Sequence, residues 1–189
     1  MKYLEEQLRQ ILGMTVWSHK IHEKQASMYM EKKRKLELIN IILITAAIIG
    51  VLMVMFFKEY NINYVVIVVM IINALISIYL KSYDFKGLNQ SHRNCAIELF
   101  SIKEDIVSTL CDIKANNIDK EELSKKRRDI SARYQAVCKK SLDPKNKAFK
   151  KAEQALVRSN GVYSNDQINN LLPNLLKVEE EIEVLEDIN

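Results

Sequence analysis

His19, His22 and Glu23 form the one cluster in the sequence with metal-ligand residue types at short spacing. Positions three apart share a helix face, so a single divalent ion could bridge the two imidazoles. No second His or Cys group stands at a useful spacing to complete the coordination. A histidine pair on a helix surface beside Trp17 is the simpler expectation. His92 stands alone. Cys95, Cys111 and Cys138 share no metal-ligand spacing, are odd in number and lie in charged segments. Reduced thiols are expected, with no disulfide framework. There is no glycine-rich phosphate loop, no nucleophile elbow and no pair of carboxylates on a pocket-forming scaffold. The expectation is a protein without catalysis, metal or cofactor.

A different chemistry is open to four polar residues, Asn40, Thr45, Asn73 and Ser77, because they interrupt segments that carry no charge at all. Residues 38–57 and 61–80 contain no Asp, Glu, Lys or Arg. Unpaired charge in hydrocarbon costs about 2.5–3.5 kcal/mol per residue. At ~1.5 Å per residue each stretch reaches ~30 Å, the thickness of a bilayer core. Polar groups placed there either hydrogen-bond between helices, at ~0.6–2 kcal/mol each, or line an aqueous path in an oligomer. Asn73 and Ser77 share a helix face, four residues apart. Ala46 and Gly50 make a small-xxx-small pair that lets another helix backbone approach closely.

The elements that must position these residues follow from the same segregation. Overall composition, at 48% hydrophobic and 28% charged, resembles that of a soluble domain. The average conceals two apolar runs in an otherwise densely charged chain. A signal peptide fits the first run poorly: it begins only at Leu38, exceeds the usual ~7–15 apolar residues and has no small-x-small exit before Lys58. A pair of buried core helices fits little better, since nothing else in the chain is apolar enough to wrap both. The chain therefore divides into an amphipathic helix over 1–37, a transmembrane hairpin over 38–80 (spans 38–57 and 62–80) and a helical domain over 81–189. The basic block Lys32, Lys33, Arg34 and Lys35 precedes the first span. Lys81, Lys86 and Arg93 follow the second, opposed only by Asp84. By the positive-inside rule both termini are cytoplasmic and the short Lys58-Glu59-Tyr60-Asn61 loop faces outward.

Outside the spans the periodicity is helical. Leu4, Leu8, Ile11 and Thr15 make one stripe, widened by Leu12 and Val16. Cys95, Leu99, Ile102, Ile106, Thr109 and Ile113 make a heptad-like seam over 90–115. Asp119 with Glu122 is a capping box for a helix that buries Leu123, Ile130, Tyr134 and Val137. Asp143-Pro144 predicts a further helix start and Asn160-Gly161 its end. Ser164 with Gln167 predicts another start, Pro173 an interruption, and Leu171, Leu175, Val178, Ile182 and Leu185 a last apolar seam. With Gly 4 and Pro 2 there is little room for turn-rich β structure. The fold class expected is an all-α membrane protein, a two-helix hairpin with a helical bundle or coiled coil. Between Lys120 and Lys151 twelve bases face four acids, while six acids face one base between Lys177 and Asn189. The basic stretch, with Arg127, Arg128 and Arg133, is either a solvated bundle face or a surface for an anionic ligand or lipid. Nucleic acid is not expected, because no aromatic residues interleave the bases.

The arrangement resembles the SLATT domains, two-transmembrane effector domains associated with bacterial nucleotide-signalling systems. The resemblance lies in Trp17-Ser18-His19, Tyr29, the block from Lys32 to Lys35 and Asn40, and covers roughly residues 10–140. It implies an effector in the bacterial inner membrane that oligomerises and permeabilises the bilayer in antiphage defence, ending in abortive infection. It further implies a homo-oligomer triggered by a nucleotide second messenger or a separately encoded sensor, since no fused sensor is recognisable after the helices. Two other functions compete: a membrane-anchored scaffold recruiting a soluble partner, and a holin-like lysis protein.

Overall fold

Lys2–Phe57 forms one unbroken helix, α1, in the computed structural model of the chain. The structure describes residues 1–57, 60–154 and 169. Four further helices follow among them: α2 (Tyr60–Ser82), α3 (Phe85–Lys114), α4 (Lys120–Lys140) and α5 (Asn146–Glu153), with no strand. The fold is all-α. The helix passes without a break through the boundary expected between residues 37 and 38, because no glycine, proline or capping residue stands there to stop it. Lys58 and Glu59 of the loop, Asn160-Gly161, Ser164 with Gln167, Pro173 and the seam from Leu171 to Leu185 lie outside the described residues.

The helix ends have chemical causes. Asp84 Oδ1 accepts from the Gly87 amide at 2.8 Å in the first turn of α3. This carboxylate, sitting at the positive end of a helix, escaped the sequence reading. At the other end of α3 the Asn117 amide donates to Asp112 O and the Asn116 amide to Ile113 O, both within 3.1 Å. This is a Schellman closure, and it places Asn116 at φ 54. Asparagine tolerates that left-handed conformation better than most residues. Asp119 caps α4 as expected, accepting from the Glu122 amide at 2.8 Å. The helix expected at Asp143-Pro144 begins instead at Asn146, with Lys145 as an N-cap that makes no side-chain bond. Pro144 and Lys145 lie outside the helix, so Asp143 does not cap it.

The chain divides into two compact units, Met1–His22 with Asn94–Asn189, and Glu23–Arg93. The first unit has a conventional apolar core. Leu8 and Leu12 of α1, Leu99, Ile102 and Ile106 of α3, and Leu123 of α4 are fully enclosed. Most of the stripes read from the sequence are these residues. Arg9 is also buried there, donating to Asn169 Oδ1 at 2.6 Å.

The second unit holds the apolar segments and packs differently. Its most apolar windows are 0% and 6% buried, so they are not the core helices of a soluble protein. Ile41, Ile44, Ile48, Leu52, Ile67, Ile71, Leu75 and Ile78 all face outward. Exposing so many large aliphatic side chains to water would forfeit about 1.5–3 kcal/mol each. In hydrocarbon the same surface costs nothing, and the backbone polar groups are satisfied within the helices. This is a membrane protein with two spanning helices.

Candidate functional site

The site is the seam between α1 and α2, together with the foot of that hairpin. Helical geometry decides which residues face the seam. Each residue advances by ~100°, so Asn40 and Ala47 lie almost in line and Gly50 about one position round. Ala47 is buried, and Asn40, Leu43 and Gly50 are partly covered. On α2 the half-covered residues include Asn63, Val66, Val69, Asn73, Ile76 and Ser77. A Cβ added to Gly50 would sit 2.6 Å from Val66 Cγ2, so the glycine is what permits this approach.

Two of the four polar residues meet. The Ser77 hydroxyl donates to Asn40 Oδ1 at 3.0 Å. Asn73 lies one turn away on the same face of α2. Its Oδ1 is buried without a hydrogen-bond partner among the described residues. Thr45 stands apart: it is exposed on the far side of α1 and its hydroxyl is spent on Ile41 O, four residues back, at 3.0 Å. Ala46 is likewise exposed, and its neighbour Ala47 takes the seam position instead. The four-residue spacing to Gly50 holds, but the seam centres on the line of Asn40, from which Ala46 is rotated by ~120°. The seam is thus a short polar zone of Asn40, Asn73 and Ser77 below a close-packed zone of Ala47, Gly50 and Val66.

At the foot of the hairpin the basic block divides. Lys32 Nζ donates to the Tyr79 hydroxyl at 2.8 Å. It also lies 5.1 Å, 5.8 Å and 5.9 Å from the ring centroids of Tyr79, Tyr83 and Phe85. The three rings pack on one another, with Tyr83 and Phe85 at 4.4 Å. The hydrogen bond to Tyr79 holds the Lys32 ammonium pKa above its ordinary value. Lys33 pairs with Glu37 one turn on at 3.3 Å. Arg34 and Lys35 are exposed. Behind the rings, Tyr29 stacks on His92 at 5.8 Å, and Asn89 Nδ2 donates to Ala26 O at 2.8 Å. Burial pushes the Tyr29 hydroxyl pKa up, and Tyr83 beside it adds to the rise. Burial lowers the pKa of His92. Nothing in the local sequence around His92 signalled that it would be enclosed.

The other candidates sit in the first unit. Arg133 Nη1 lies 2.5 Å from Asp105 Oδ2, with Ser101 Oγ 3.4 Å from Nη2. Lys126 reaches Asp112 at 3.1 Å, and Arg128 donates to Ser124 Oγ at 3.1 Å. Arg127 has its Nε buried with no hydrogen-bond partner among the described residues. Lys126 and Arg133 of this basic stretch thus tie α4 to acids of α3. A small cleft of 220 Å³ between those helices is lined by Glu98, Ser101, Ile102, Arg133, Ala136 and Val137. His22 is buried and His19 lies against Phe100, 6.0 Å between ring centroids. Among the described residues no group of three His, Cys, Asp or Glu is placed to hold a metal. Cys95 is enclosed, and burial pushes its thiol pKa up to about 11, with Cys138 and Glu98 adding to the rise. Cys111 and Cys138 are exposed.

Residues 4–167 match the family model of the SMODS and SLOG-associating 2TM effector domain, family 4. No curated protein and no solved structure matches the chain. The matched region contains both spans and α3 to α5, a longer stretch than the resemblance in the sequence covered. The chain belongs to this effector-domain family.

Proposed function

We propose that this family member is a membrane effector that oligomerises and permeabilises the bacterial inner membrane during antiphage defence. The observation that carries the reading is the polar zone inside an otherwise apolar hairpin. The Ser77 hydroxyl donates to Asn40 Oδ1, whereas Asn73 Oδ1 has no hydrogen-bond partner among the described residues. A hydrogen-bonding group enclosed without a partner costs ~1–3 kcal/mol, so a passive anchor has no use for it. Two helices of ~10–12 Å diameter cannot enclose a lumen, so conduction requires several copies. Rotation of each hairpin within such an assembly would turn Asn73, Ser77 and Asn40 toward a shared aqueous path. The close approach at Gly50 keeps the pair rigid enough to rotate together. A trigger received outside the membrane would start this rearrangement. That trigger is a nucleotide second messenger or a separately encoded sensor, and both termini lie in the cytoplasm. We assign no catalysis.

Inducible expression with a membrane-potential dye, with and without phage challenge, tests the proposal. Depolarisation that Asn73→Leu abolishes is the expected result. Unchanged potential and viability under both conditions would sink it.

The scaffold reading has one observation of its own. Ile97 and Phe100 are exposed on one face of α3, 58% and 48% accessible, outside the membrane unit. Exchanging both spans for an unrelated hairpin separates the two readings, since a scaffold retains function and a permeabiliser loses it.

A further inference from the structure

We propose that Arg34, Lys35, Lys81 and Lys86 form a collar at the foot of the hairpin that binds the phosphate headgroups of anionic phospholipid. The inference rests on the membrane reading of the hairpin and not on conduction.

Lys32 is held by Tyr79 and the rings of Tyr83 and Phe85. Lys33 is paired with Glu37. Asp84, the first acid after the second span, spends a carboxylate oxygen on the Gly87 amide. Arg34, Lys35, Lys81 and Lys86 are exposed, with no ion pair among the described residues.

Register then places them together. Asn40 faces Ser77, and Gly50 faces Val66. Climbing α1 by ten residues therefore matches descending α2 by eleven. Continued from Asn40 toward the foot, the same register brings Lys35 level with Ser82 and Tyr83, and Arg34 level with Tyr83 and Asp84, within one helical turn of Lys81. Lys86 follows in the first turn of α3. The charge-free segments end at Leu38 and Leu80, so this level is the edge of the hydrocarbon, where phosphates sit. Tyr79 and Tyr83 stand at the same depth, as aromatic residues do at membrane interfaces. The two cations nearest the seam are thus spent on protein structure, while the outward-facing ones remain for the lipid.

The test uses the full chain in a neutral detergent, titrated with short-chain phosphatidylglycerol or phosphatidylcholine and followed by its melting temperature. Phosphatidylglycerol should raise the melting temperature saturably and phosphatidylcholine should not. Each cation near an anionic surface is worth about five-fold in affinity. K81Q should therefore weaken binding about five-fold, and R34Q/K35Q/K81Q/K86Q by on the order of a hundred-fold or more. The matched control K125Q/K139Q/K140Q/K147Q removes the same charge elsewhere and should change nothing. Circular dichroism confirms that each variant keeps its helix content, and K81Q alone decides the case if the fourfold variant does not fold. Equal response to the two lipids overturns the collar, as does retained discrimination in K81Q and the fourfold variant. Inorganic tripolyphosphate binding as tightly as the lipid also overturns it, by making the ligand a soluble anion. A chain that depolarises cells yet shows no lipid preference refutes the collar alone. A chain with the preference that never depolarises refutes the effector reading alone.

Discussion

Ser77 donates its hydroxyl to Asn40 Oδ1 at 3.0 Å, joining the two spanning helices inside a surface that is otherwise aliphatic. Such bonds are modest in membranes because the separated helices find other partners. Asn40→Leu and Ser77→Ala should each lower the stability of the hairpin by about 1 kcal/mol. A double-mutant cycle in detergent should give a coupling of ~0.6–1.7 kcal/mol. Strict additivity would mean that the bond does not hold the helices together.

Gly50 offers a sharper test of the seam. The nearest atom to a new Cβ is Val66 Cγ2, at 2.6 Å, on a β-branched side chain with little rotamer freedom. Gly50→Ala should destabilise the hairpin by about 1–3 kcal/mol through overpacking. Adding Val66→Ala should recover most of that loss. A neutral Gly50→Ala would show that the helices do not approach as closely as described.

Arg133 and Asp105 link α4 to α3 with side chains 41% and 47% exposed. Solvent screening limits such a pair to ~0.2–1 kcal/mol. Arg133→Asp should lower the melting temperature, and the swap Arg133→Asp with Asp105→Arg should restore it. The same pair separates structure from ligand binding. If triggering is lost in both the single and the swapped protein while stability returns, Arg133 reads a ligand; if triggering returns with stability, its role is structural.

His92 makes stability depend on pH in one direction. Burial lowers its folded pKa below the ordinary imidazole value of 6.5, so the unfolded chain takes up the proton first as pH falls. Its contribution is fully present above pH 6.5 and is lost as pH drops through the lowered folded value. The melting temperature in detergent should therefore fall on acidification from pH 6.5 down to that lower value. His92→Gln should remove this part of the slope. An unchanged slope in the variant would place the titration elsewhere.

The thiols provide a chemical probe of the first unit. Cys95 is buried and its thiol stays protonated, with a pKa of about 11. The thiolate attacks iodoacetamide and displaces iodide, so at pH 8 the native chain should be alkylated at Cys111 and Cys138 and spared at Cys95. Denaturation should expose the third site, read by mass spectrometry. Rapid native labelling of Cys95 would contradict its place in the core.

The two spans, the seams of α1 and α3 and the Asp119 cap were legible in the sequence because each depends on residues near one another in the chain. Hydropathy sums along a segment, and a capping carboxylate reaches an amide three residues on. α5 starts two residues beyond the start that Asp143-Pro144 predicts, and nothing in the local sequence marks Lys145 as its cap. The candidate site was legible only as a set of residue types. That Ala47 and not Ala46 lies in the seam, and that Thr45 turns away, depends on how α1 is rotated against α2. That Lys32 is held while Arg34 and Lys35 are free depends on rings placed by the turn into α3. That His92 and Arg9 are buried depends on helices distant in sequence. The sequence by itself determined that the chain enters a membrane and where. Which of its polar groups face one another was decided only by the tertiary structure, because helix rotation and register are set by packing across elements and leave no mark on local composition.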